Sequence, residues 1–521
     1  MRARSKTDII RSDRNTEIPF NSGVDMKNGF SILFVLVFGL AVLAQPSKTN
    51  DPPNVTLHPC EVSGAAPGTK ENILCGSLEV FENRALMSGR KIALKILVFP
   101  ATGKDKFADP VFYIPGGPGS SATEDAVYIA EDLAKVREHR DLVFLDQRGT
   151  GGSNPLNCVF FDPADLQSYL GHWNPPERVL KCRRELESKA DLKLYVTSIA
   201  IDDLDEVRAA LGYDKINITA GSYGTRATQE YIRRHGEHVR SAILQGISTT
   251  GQLMPRDFPQ HTERALNGVI DECSADTACR AAFPKLREDE KAVLEKLISG
   301  PVEVDVKSAP NSDKTTRVKL SRDLAGEAIR YMLYQSGGAS RVPLFLHLAA
   351  QGNFTPLAEA ALYYRHEIVS SGATGMYLSV TCAEDLPWIK PGEGSGSNTF
   401  LGNYRLRQQR EDCSLWPRGE IPKDYAAPVR SNVPVLIFTG QWDPVTPPLY
   451  GDQIAKYLPN SRHIVVPSGG HGFNGLDGLE CISKLTLGFI ETADAKRLDT
   501  TCVKSIHRKG FLLKLQVPSD D

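Results

Sequence analysis

The stretch "ITAGSYGTR", residues 218–226, runs from a β-type segment into a helix-like segment and places Ser222 at the turn between them. The residue two positions before the serine is Ala220, and the residue two positions after it is Gly224. A turn that holds a serine out for attack strains the serine backbone and needs small residues at both flanks. The stretch is therefore either an ordinary glycine-softened turn or the site of a nucleophile, and the surrounding sequence decides between the two.

Short apolar runs with glycines at their ends alternate with helix-like runs on both sides of this turn. The strand-like runs lie at residues 110–119, 141–152, 215–224, 241–247, 433–448 and 462–472. This alternation indicates a mostly parallel sheet with helices on both faces. In such a sheet the ligand site lies at the carboxyl ends of the strands, where these loops gather.

A long helical segment separates the two groups of strands. Helical periodicity dominates residues 251–425, with only two short strand-like runs, "VEVDV" and "RVKL". The simplest interpretation is a helical lid inserted between the two halves of one sheet, over the strand ends. The predicted core then consists of residues 76–250 and 426–505, and a tail follows at 506–521.

Two further polar side chains follow predicted strands. Asp443 comes after "VLIFTG" in "QWDP", and His471 comes after "HIVVPSGG". A serine hydroxyl needs a base to accept its proton, and the base needs an acid that orients it. The order serine, aspartate, histidine is that of α/β hydrolases. We therefore predict an α/β-hydrolase fold with Ser222, Asp443 and His471 as the catalytic residues.

The segment "IPGGPGSS", residues 114–121, is the predicted oxyanion loop. Acyl transfer requires backbone N–H groups that bind an oxyanion, and glycines let the chain approach it closely. The N–H of Tyr223 is expected to supply one donor, and that of Gly117 or Gly116 the other.

The N-terminal region predicts export. The apolar run at residues 30–44 is too short to span a bilayer comfortably but fits the core of a secretory signal, preceded by Lys27. Residues 1–45 are therefore interpreted as a signal region whose true start is Met26, and 46–75 as a linker. An uncleaved membrane anchor is the alternative. After cleavage no stable membrane span is expected, and the mature protein is expected to be secreted or periplasmic.

The ten cysteines support an oxidising compartment, because they are even in number and none forms a CxxC motif. Pairing by sequence order, which the sequence alone does not establish, joins Cys60 to Cys75, Cys158 to Cys182, Cys273 to Cys279, Cys382 to Cys413 and Cys481 to Cys502. Without an accompanying histidine cluster, no metal site is predicted. The 61 basic and 63 acidic residues nearly balance, and no basic run indicates a nucleic-acid partner.

Several motifs together resemble one family. "GGPG", "LDQRGTGGS", "GSYGT", "CAEDLPW", "PVLIFTGQWDPVTPP" and "PSGGHG" are similar to the proline iminopeptidase and tripeptidyl aminopeptidase family, in its secreted tripeptidyl-aminopeptidase-like branch. The resemblance runs from about Cys75 to Cys502. It implies release of N-terminal residues, either a single proline-type residue or a tripeptide, from peptides through an acyl-enzyme. No cofactor is implied.

An aminopeptidase must also bind the free ammonium group of its substrate. The "CAED" segment offers Glu384 and Asp385 for this role, and Glu384 is the preferred candidate. Asp146 and Arg148 of "DQRG" are predicted to form an internal ion pair that supports the oxyanion loop.

Other functions stay open at this point. A serine carboxypeptidase and an esterase could use the same three residues, although serine carboxypeptidases have glutamate where this chain has Gly221. A non-catalytic binding protein of the same fold is the alternative from another class.

Overall fold

A computed structural model describes residues 55–62, 72–162, 164–308, 313–370, 372–394 and 399–515. The predicted signal region, Met26, most of the linker and the end of the tail lie outside the described residues.

A nine-stranded sheet forms the centre of the protein, in the order β1-β2-β3-β5-β4-β6-β7-β10-β11. The strands are β1 (His58–Pro59), β2 (Leu74–Phe81), β3 (Lys91–Phe99), β4 (Val111–Ile114), β5 (Leu142–Leu145), β6 (Ile216–Gly221), β7 (Val239–Gln245), β8 (Val302–Lys307), β9 (Thr315–Leu320), β10 (Val435–Gly440), β11 (Ser461–Val466), β12 (Leu476–Asp477) and β13 (His507–Arg508). The six strands from β5 to β11 in this order are parallel, and β1, β2 and β3 are antiparallel. The predicted mostly parallel sheet is confirmed.

Helices surround the sheet. They are α1 (Ala122–Asp132), α2 (Ala134–Arg137), α3 (Leu166–Tyr169), α4 (Pro176–Glu187), α5 (Thr197–Ala210), α6 (Tyr223–His235), α7 (Phe258–Ala275), α8 (Thr277–Ala282), α9 (Leu286–Ser299), α10 (Arg322–Met332), α11 (Ser336–Ala339), α12 (Val342–Ala350), α13 (Thr355–Ser370), α14 (Thr374–Glu384), α15 (Tyr404–Leu415), α16 (Pro448–Ala455) and α17 (Glu480–Thr492). Helices α7–α15 and the β8–β9 hairpin lie between β7 and β10 in the chain, within the range predicted for the lid. The boundaries drawn from the sequence stay predictions.

Alternating side chains of the central strands pack into two separate cores. Ile96 and Val98 of β3 join the core on one face of the sheet, whereas Leu97 and Phe99 join the core on the other. This division follows from the two-residue repeat of a strand, since successive side chains point to opposite faces. Side chains of helices α7–α13 and of the β8–β9 hairpin form a further core, which also includes Leu170, Trp173, Phe400 and Tyr404. The carboxyl ends of the parallel strands are thus held between two apolar layers and a separately packed helical segment.

Five disulfides pair the ten cysteines in the predicted order. The Cys382–Cys413 bond joins α14 to α15. The two cysteines are 31 residues apart, against 6 for Cys273 and Cys279.

We predict that replacing Cys382 and Cys413 together by alanine lowers the free energy of unfolding more than replacing Cys273 and Cys279. In the chain-entropy model, loops of these lengths contribute about 3.7 and about 2.2 kcal/mol, because the longer loop restricts the unfolded chain more. Thermal unfolding of the two double variants beside the wild type measures the difference. Equal losses, or a larger loss from the short loop, would contradict the prediction.

Candidate active site

Ser222 lies at the turn between β6 and α6 in a strained backbone conformation, with φ of +55° and ψ of −125°. A positive φ at a residue other than glycine costs about 1–3 kcal/mol and persists only where surrounding contacts impose it. The Ser222 N–H donates to the Gln245 carbonyl oxygen at 2.9 Å, and the Ser222 carbonyl accepts from the N–H of Thr225 at 2.9 Å. Neighbouring strand and helix therefore hold the serine in place.

Gly224 is required at its position by close packing. A β-carbon there would overlap the carbonyl oxygen of Ile114 and lie 2.7 Å from that of Pro115. The first turn of α6 is therefore pressed against the end of β4, which carries the glycine-rich loop. Gly221 meets no such limit, since a β-carbon there would have open space.

Asp443 and His471 lie in the turns after β10 and β11, which are parallel neighbours in the sheet. The distance between Asp443 Oδ2 and His471 Nδ1 is 2.8 Å. Asp443 Oδ1 accepts hydrogen bonds from the N–H groups of Val445 and Thr446, both at 2.8 Å. Burial by itself would raise the pKa of Asp443, but His471 and these donors outweigh it and hold the pKa below its ordinary value. Asp443 is therefore an ionised carboxylate behind the imidazole.

Ser222 and His471 line one cavity of about 350 Å³, together with Gly117. That volume is at the small end of the ~300–1,000 Å³ typical of ligand pockets. The ring of Tyr334 packs edge-on against the imidazole at 4.9 Å between ring centres. The structure thus brings Ser222 and His471 to a common cavity wall, with Asp443 hydrogen-bonded to Nδ1 of the imidazole.

Thr446 is a contact of this pair that the sequence did not single out. Its hydroxyl donates to Asp443 Oδ2 at 2.7 Å and lies 3.0 Å from His471 Nδ1. The hydroxyl therefore bridges the two side chains and fixes their relative orientation.

Replacing Thr446 with valine is expected to lower kcat by about 10- to 100-fold, since a hydrogen bond to a charged group contributes about 1.5–3 kcal/mol. KM is expected to change little because Thr446 is not part of the cavity wall. Steady-state kinetics check this, with Thr446→Ser as the control that restores the hydroxyl. A loss shared equally by the serine variant would contradict it.

The glycine-rich loop after β4 lies directly against Ser222. A β-carbon on Gly116 would be 3.0 Å from Ser222 Cβ and 3.6 Å from Ser222 Oγ. Gly117 lines the cavity, and Tyr223 is the first residue of α6, where a backbone N–H has no partner within the helix. The loop and the helix start are therefore next to the serine, as an oxyanion site would require.

The predicted ion pair between Asp146 and Arg148 is wrong. Asp146 Oδ1 accepts from Ser121 Oγ at 2.8 Å and from the Thr123 N–H at 3.0 Å, at the start of α1 after the glycine-rich loop. Arg148 instead forms two hydrogen bonds to Asp203, at 2.6 and 2.9 Å. Asp146 therefore supports the loop through hydrogen bonds, whereas Arg148 pairs with Asp203 of α5.

Glu384 and Asp385 do not line the cavity, which differs from their expected role. Glu384 accepts from the N–H and hydroxyl of Thr197 at 2.7 and 2.9 Å and from the Tyr425 hydroxyl. Asp385 pairs with the buried Arg226 at 2.9 Å, and burial raises the pKa of Asp385 to about 6. Both carboxylates lie at the end of α14, where they are engaged by internal partners.

Seven aromatic residues and three arginines contribute to the cavity wall. The aromatic ones are Phe160, Phe161, Trp173, Phe258, Tyr331, Tyr334 and Tyr377. The charged ones are Arg330, Arg365 and Arg405, and the described residues that line the cavity include no aspartate or glutamate. No local motif marks these arginines in the sequence, because they lie on three different helices, α10, α13 and α15, and come together only in the folded chain.

Two absences hold within the described ranges. No group of three or more histidine, cysteine, aspartate or glutamate side chains there could hold a metal ion. No described helix is both long enough and apolar enough to cross a membrane.

Comparison with known families identifies the class of protein. A family model for the alpha/beta hydrolase fold matches residues 109–280, and one described as TAP-like protein matches residues 398–502. Together the two ranges take in just over half of the chain. The protein is a serine hydrolase with the α/β-hydrolase fold.

Characterised relatives agree with this class. Serine protease Hip1 of Mycobacterium tuberculosis is 26% identical over 482 residues, which cover 83% of this chain and 89% of that protein. Tripeptidyl aminopeptidase of Streptomyces lividans is 28% identical over 461 residues, covering 82% and 83%. Carboxylesterase B of Mycobacterium tuberculosis is 24% identical over 440 residues, covering 80% and 83%. The TAP-like match and the similarity to tripeptidyl aminopeptidases confirm the resemblance to the TAP-like family of α/β hydrolases.

Proposed function

We propose that this protein is an exported serine exopeptidase that releases N-terminal residues from peptides, either a single proline-type residue or a tripeptide. The observation that carries the proposal is that His471, hydrogen-bonded to Asp443, lines the same cavity as the strained Ser222. The relatives named serine protease and tripeptidyl aminopeptidase support peptides as substrates.

The proposed reaction proceeds through an acyl-enzyme. The Ser222 hydroxyl attacks the scissile carbonyl carbon while His471 accepts its proton, and the N–H groups of Tyr223 and Gly117 bind the resulting oxyanion. The imidazolium, stabilised by Asp443, then donates the proton to the leaving amine as the C–N bond breaks. A water molecule, activated by His471, attacks the ester and releases the acid together with the free serine.

Gly116 supports this oxyanion site by its proximity to Ser222. A larger residue there would displace the loop from the serine, because a β-carbon would lie only 3.0 Å from Ser222 Cβ. The strained Ser222 backbone serves the same end, since it holds the hydroxyl at the start of α6 beside the unpaired N–H groups.

The export proposal rests on the five disulfides and on the apolar run at residues 30–44. Disulfides persist in oxidising compartments and are rare in the cytosol. Sequencing the N-terminus of the protein recovered from its native host tests the proposal, since export through a cleaved signal yields a mature chain that begins shortly after Ala44.

The direction of cleavage is tested by mass spectrometry of products from three matched peptides: one unblocked, one N-acetylated and one with a C-terminal amide. An aminopeptidase cleaves the unblocked and amidated peptides from the N-terminus and spares the acetylated one. Equal cleavage of the free and acetylated peptides would refute the assignment. Release of C-terminal residues from the acetylated peptide, with none from the amidated one, would identify a carboxypeptidase.

An esterase is the second candidate function. The similarity to a protein named carboxylesterase over 80% of the chain favours it. Comparing kcat/KM for a short acyl ester and the peptide amide of the same acyl group separates the two functions, because an esterase turns over the ester only.

A further inference from the structure

Two arginines enclose a tryptophan on the wall of the candidate active-site cavity. The guanidinium carbon of Arg365 lies 3.5 Å from the Trp173 ring centre, and that of Arg405 lies 3.8 Å from it. All three side chains line the cavity and are at least nine-tenths buried. A guanidinium stacked on an aromatic face keeps its N–H groups in a fixed plane, directed sideways from the ring. The two arginines are therefore rigidly placed donors.

Neither of these arginines has a carboxylate partner among the described residues. Arg365 donates from Nε to the Tyr169 carbonyl oxygen at 3.2 Å and from Nη2 to that of Trp173 at 2.6 Å. Arg405 donates from Nη2 to the Tyr377 hydroxyl at 3.1 Å. In the described part of the chain, Nη1 of each makes no hydrogen bond. Each guanidinium thus retains donor groups and its full charge.

The third arginine of the cavity, Arg330, is paired with a carboxylate. Arg330 forms an ion pair with Glu327 at 2.7 Å and donates to the Tyr334 hydroxyl at 2.7 Å. All of its donor nitrogens are engaged. Arg365 and Arg405 differ from it in lacking a counter-charge of their own.

Burying a charge without a partner is costly, and the cost is offset when an anion binds next to it. Burial lowers the pKa of Arg365 to about 10, and the neighbouring charge of Arg405 acts in the same direction. An incoming carboxylate would relieve both effects. Arginine is also suited to this role because its planar fork matches the two oxygens of a carboxylate.

We propose that the unengaged N–H groups of Arg365 and Arg405, beside the Trp173 ring, bind a carboxylate group of the substrate. The proposal rests on the proposed function, since it concerns the peptide that Ser222 attacks. Two sources share this chemistry: an acidic side chain in the N-terminal segment, and the free carboxylate at the C-terminus of a short peptide. The site thereby selects peptides that carry a carboxylate at the matching position, because a neutral group would leave both guanidinium groups without an anion.

The test measures binding without turnover, in the Ser222→Ala protein. Calorimetric titration makes two comparisons. The first is between two tripeptide amides that differ only in having glutamate or glutamine at one position. The second is between the amide and the free acid of the glutamine peptide. We expect the peptide with the additional carboxylate to bind at least about 10-fold more tightly, in one of the two comparisons. Preference in the first identifies the side chain as the source, and in the second the C-terminus. Equal affinities throughout would overturn the proposal.

The role of Arg405 in carboxylate binding is tested by adding Arg405→Met to the Ser222→Ala protein. This change is expected to reduce the preference for the carboxylate at least 10-fold, while the glutamine amide keeps its affinity. Arg407→Met is the matched control, since Arg407 lies on the same helix but is exposed and pairs with Asp323 at 3.0 Å. An undiminished preference in a folded Arg405→Met protein would overturn the role of Arg405. If that variant fails to fold, the glutamate–glutamine and acid–amide comparisons still decide the proposal.

These measurements also separate the two proposals. A carboxylate preference in binding, combined with no cleavage of any peptide by the wild type, would refute the proposed function and leave the anion site standing. Cleavage of peptides by the wild type, combined with no carboxylate preference in binding, would refute the anion site and leave the proposed function standing.

Discussion

Replacing Ser222 with alanine is expected to abolish hydrolysis, with kcat reduced by about 10⁵- to 10⁶-fold, as for nucleophile variants of other serine hydrolases. The physical reason is that the remaining groups have nothing to acylate. His471 and Asp443 would keep their 2.8 Å hydrogen bond, and the glycine-rich loop would keep its position. Folding is expected to be unchanged, because alanine retains the β-carbon and meets the same strain at φ of +55°.

Covalent labelling with a fluorophosphonate probe measures this most directly. The wild type is expected to gain one label, and the Ser222→Ala protein none. Ser120→Ala is the matched control, since Ser120 lines the same cavity but does not lie at the strained turn between β6 and α6. Labelling that persists in Ser222→Ala, or that disappears in Ser120→Ala, would refute the assigned nucleophile. A folded wild type that never reacts would favour the non-catalytic binding protein.

Replacing Asp443 with asparagine is expected to lower kcat by about 10⁴-fold, with little change in KM. Asparagine preserves the shape of the side chain but carries no charge to stabilise the imidazolium, and its amide favours the wrong tautomer of His471. The Val445 and Thr446 N–H groups would also lose an ionised acceptor. Measuring kcat for wild type and variant over a range of pH checks the expectation.

Asp452→Asn provides the matched control for this change. Asp452 accepts from a ring nitrogen of His463 at 2.9 Å but is exposed, so that water replaces the lost charge. Its activity is expected to stay within about twofold of the wild type, in line with the small contribution of exposed pairs. Comparable losses in both variants would indicate that a general structural effect, and not the Asp443–His471 pair, explains the result.

Asp443 also predicts a pH effect on stability. Its pKa in the folded protein is below its ordinary value of about 3.9, so its stabilising contribution is present above that value and is lost as the pH falls towards the folded pKa. The thermal midpoint of the wild type is therefore expected to fall below about pH 4 more steeply than that of Asp443→Asn.

The predictions that hold from sequence rest on short-range patterns. The alternation of apolar runs and helical repeats specified the parallel sheet, because the two-residue and 3.6-residue periods are local properties of the chain. Small residues around Ser222 predicted the strained turn in the same way. The polar residues after β10 and β11 were recognisable as candidates, because parallel strands bring their carboxyl ends to one edge.

Residues whose surroundings come from distant parts of the chain were beyond such reasoning. Glu384 looked available in "CAED", yet Thr197 and Tyr425 enclose it, from segments far away in sequence. Arg148 likewise pairs with Asp203, which comes from a distant segment of the chain.

The sequence by itself determined the alternation of strands and helices and the turn at Ser222, because each depends on neighbours within a few positions. The order of the three candidate residues is a property of the sequence itself. Only the tertiary structure decided what surrounds the substrate. Trp173, Arg365 and Arg405 meet from separate segments. No local pattern indicates that these two buried cations would form no ion pair with a carboxylate of the described residues. Burial and charge compensation depend on which segments pack together, and that is a property of the folded chain.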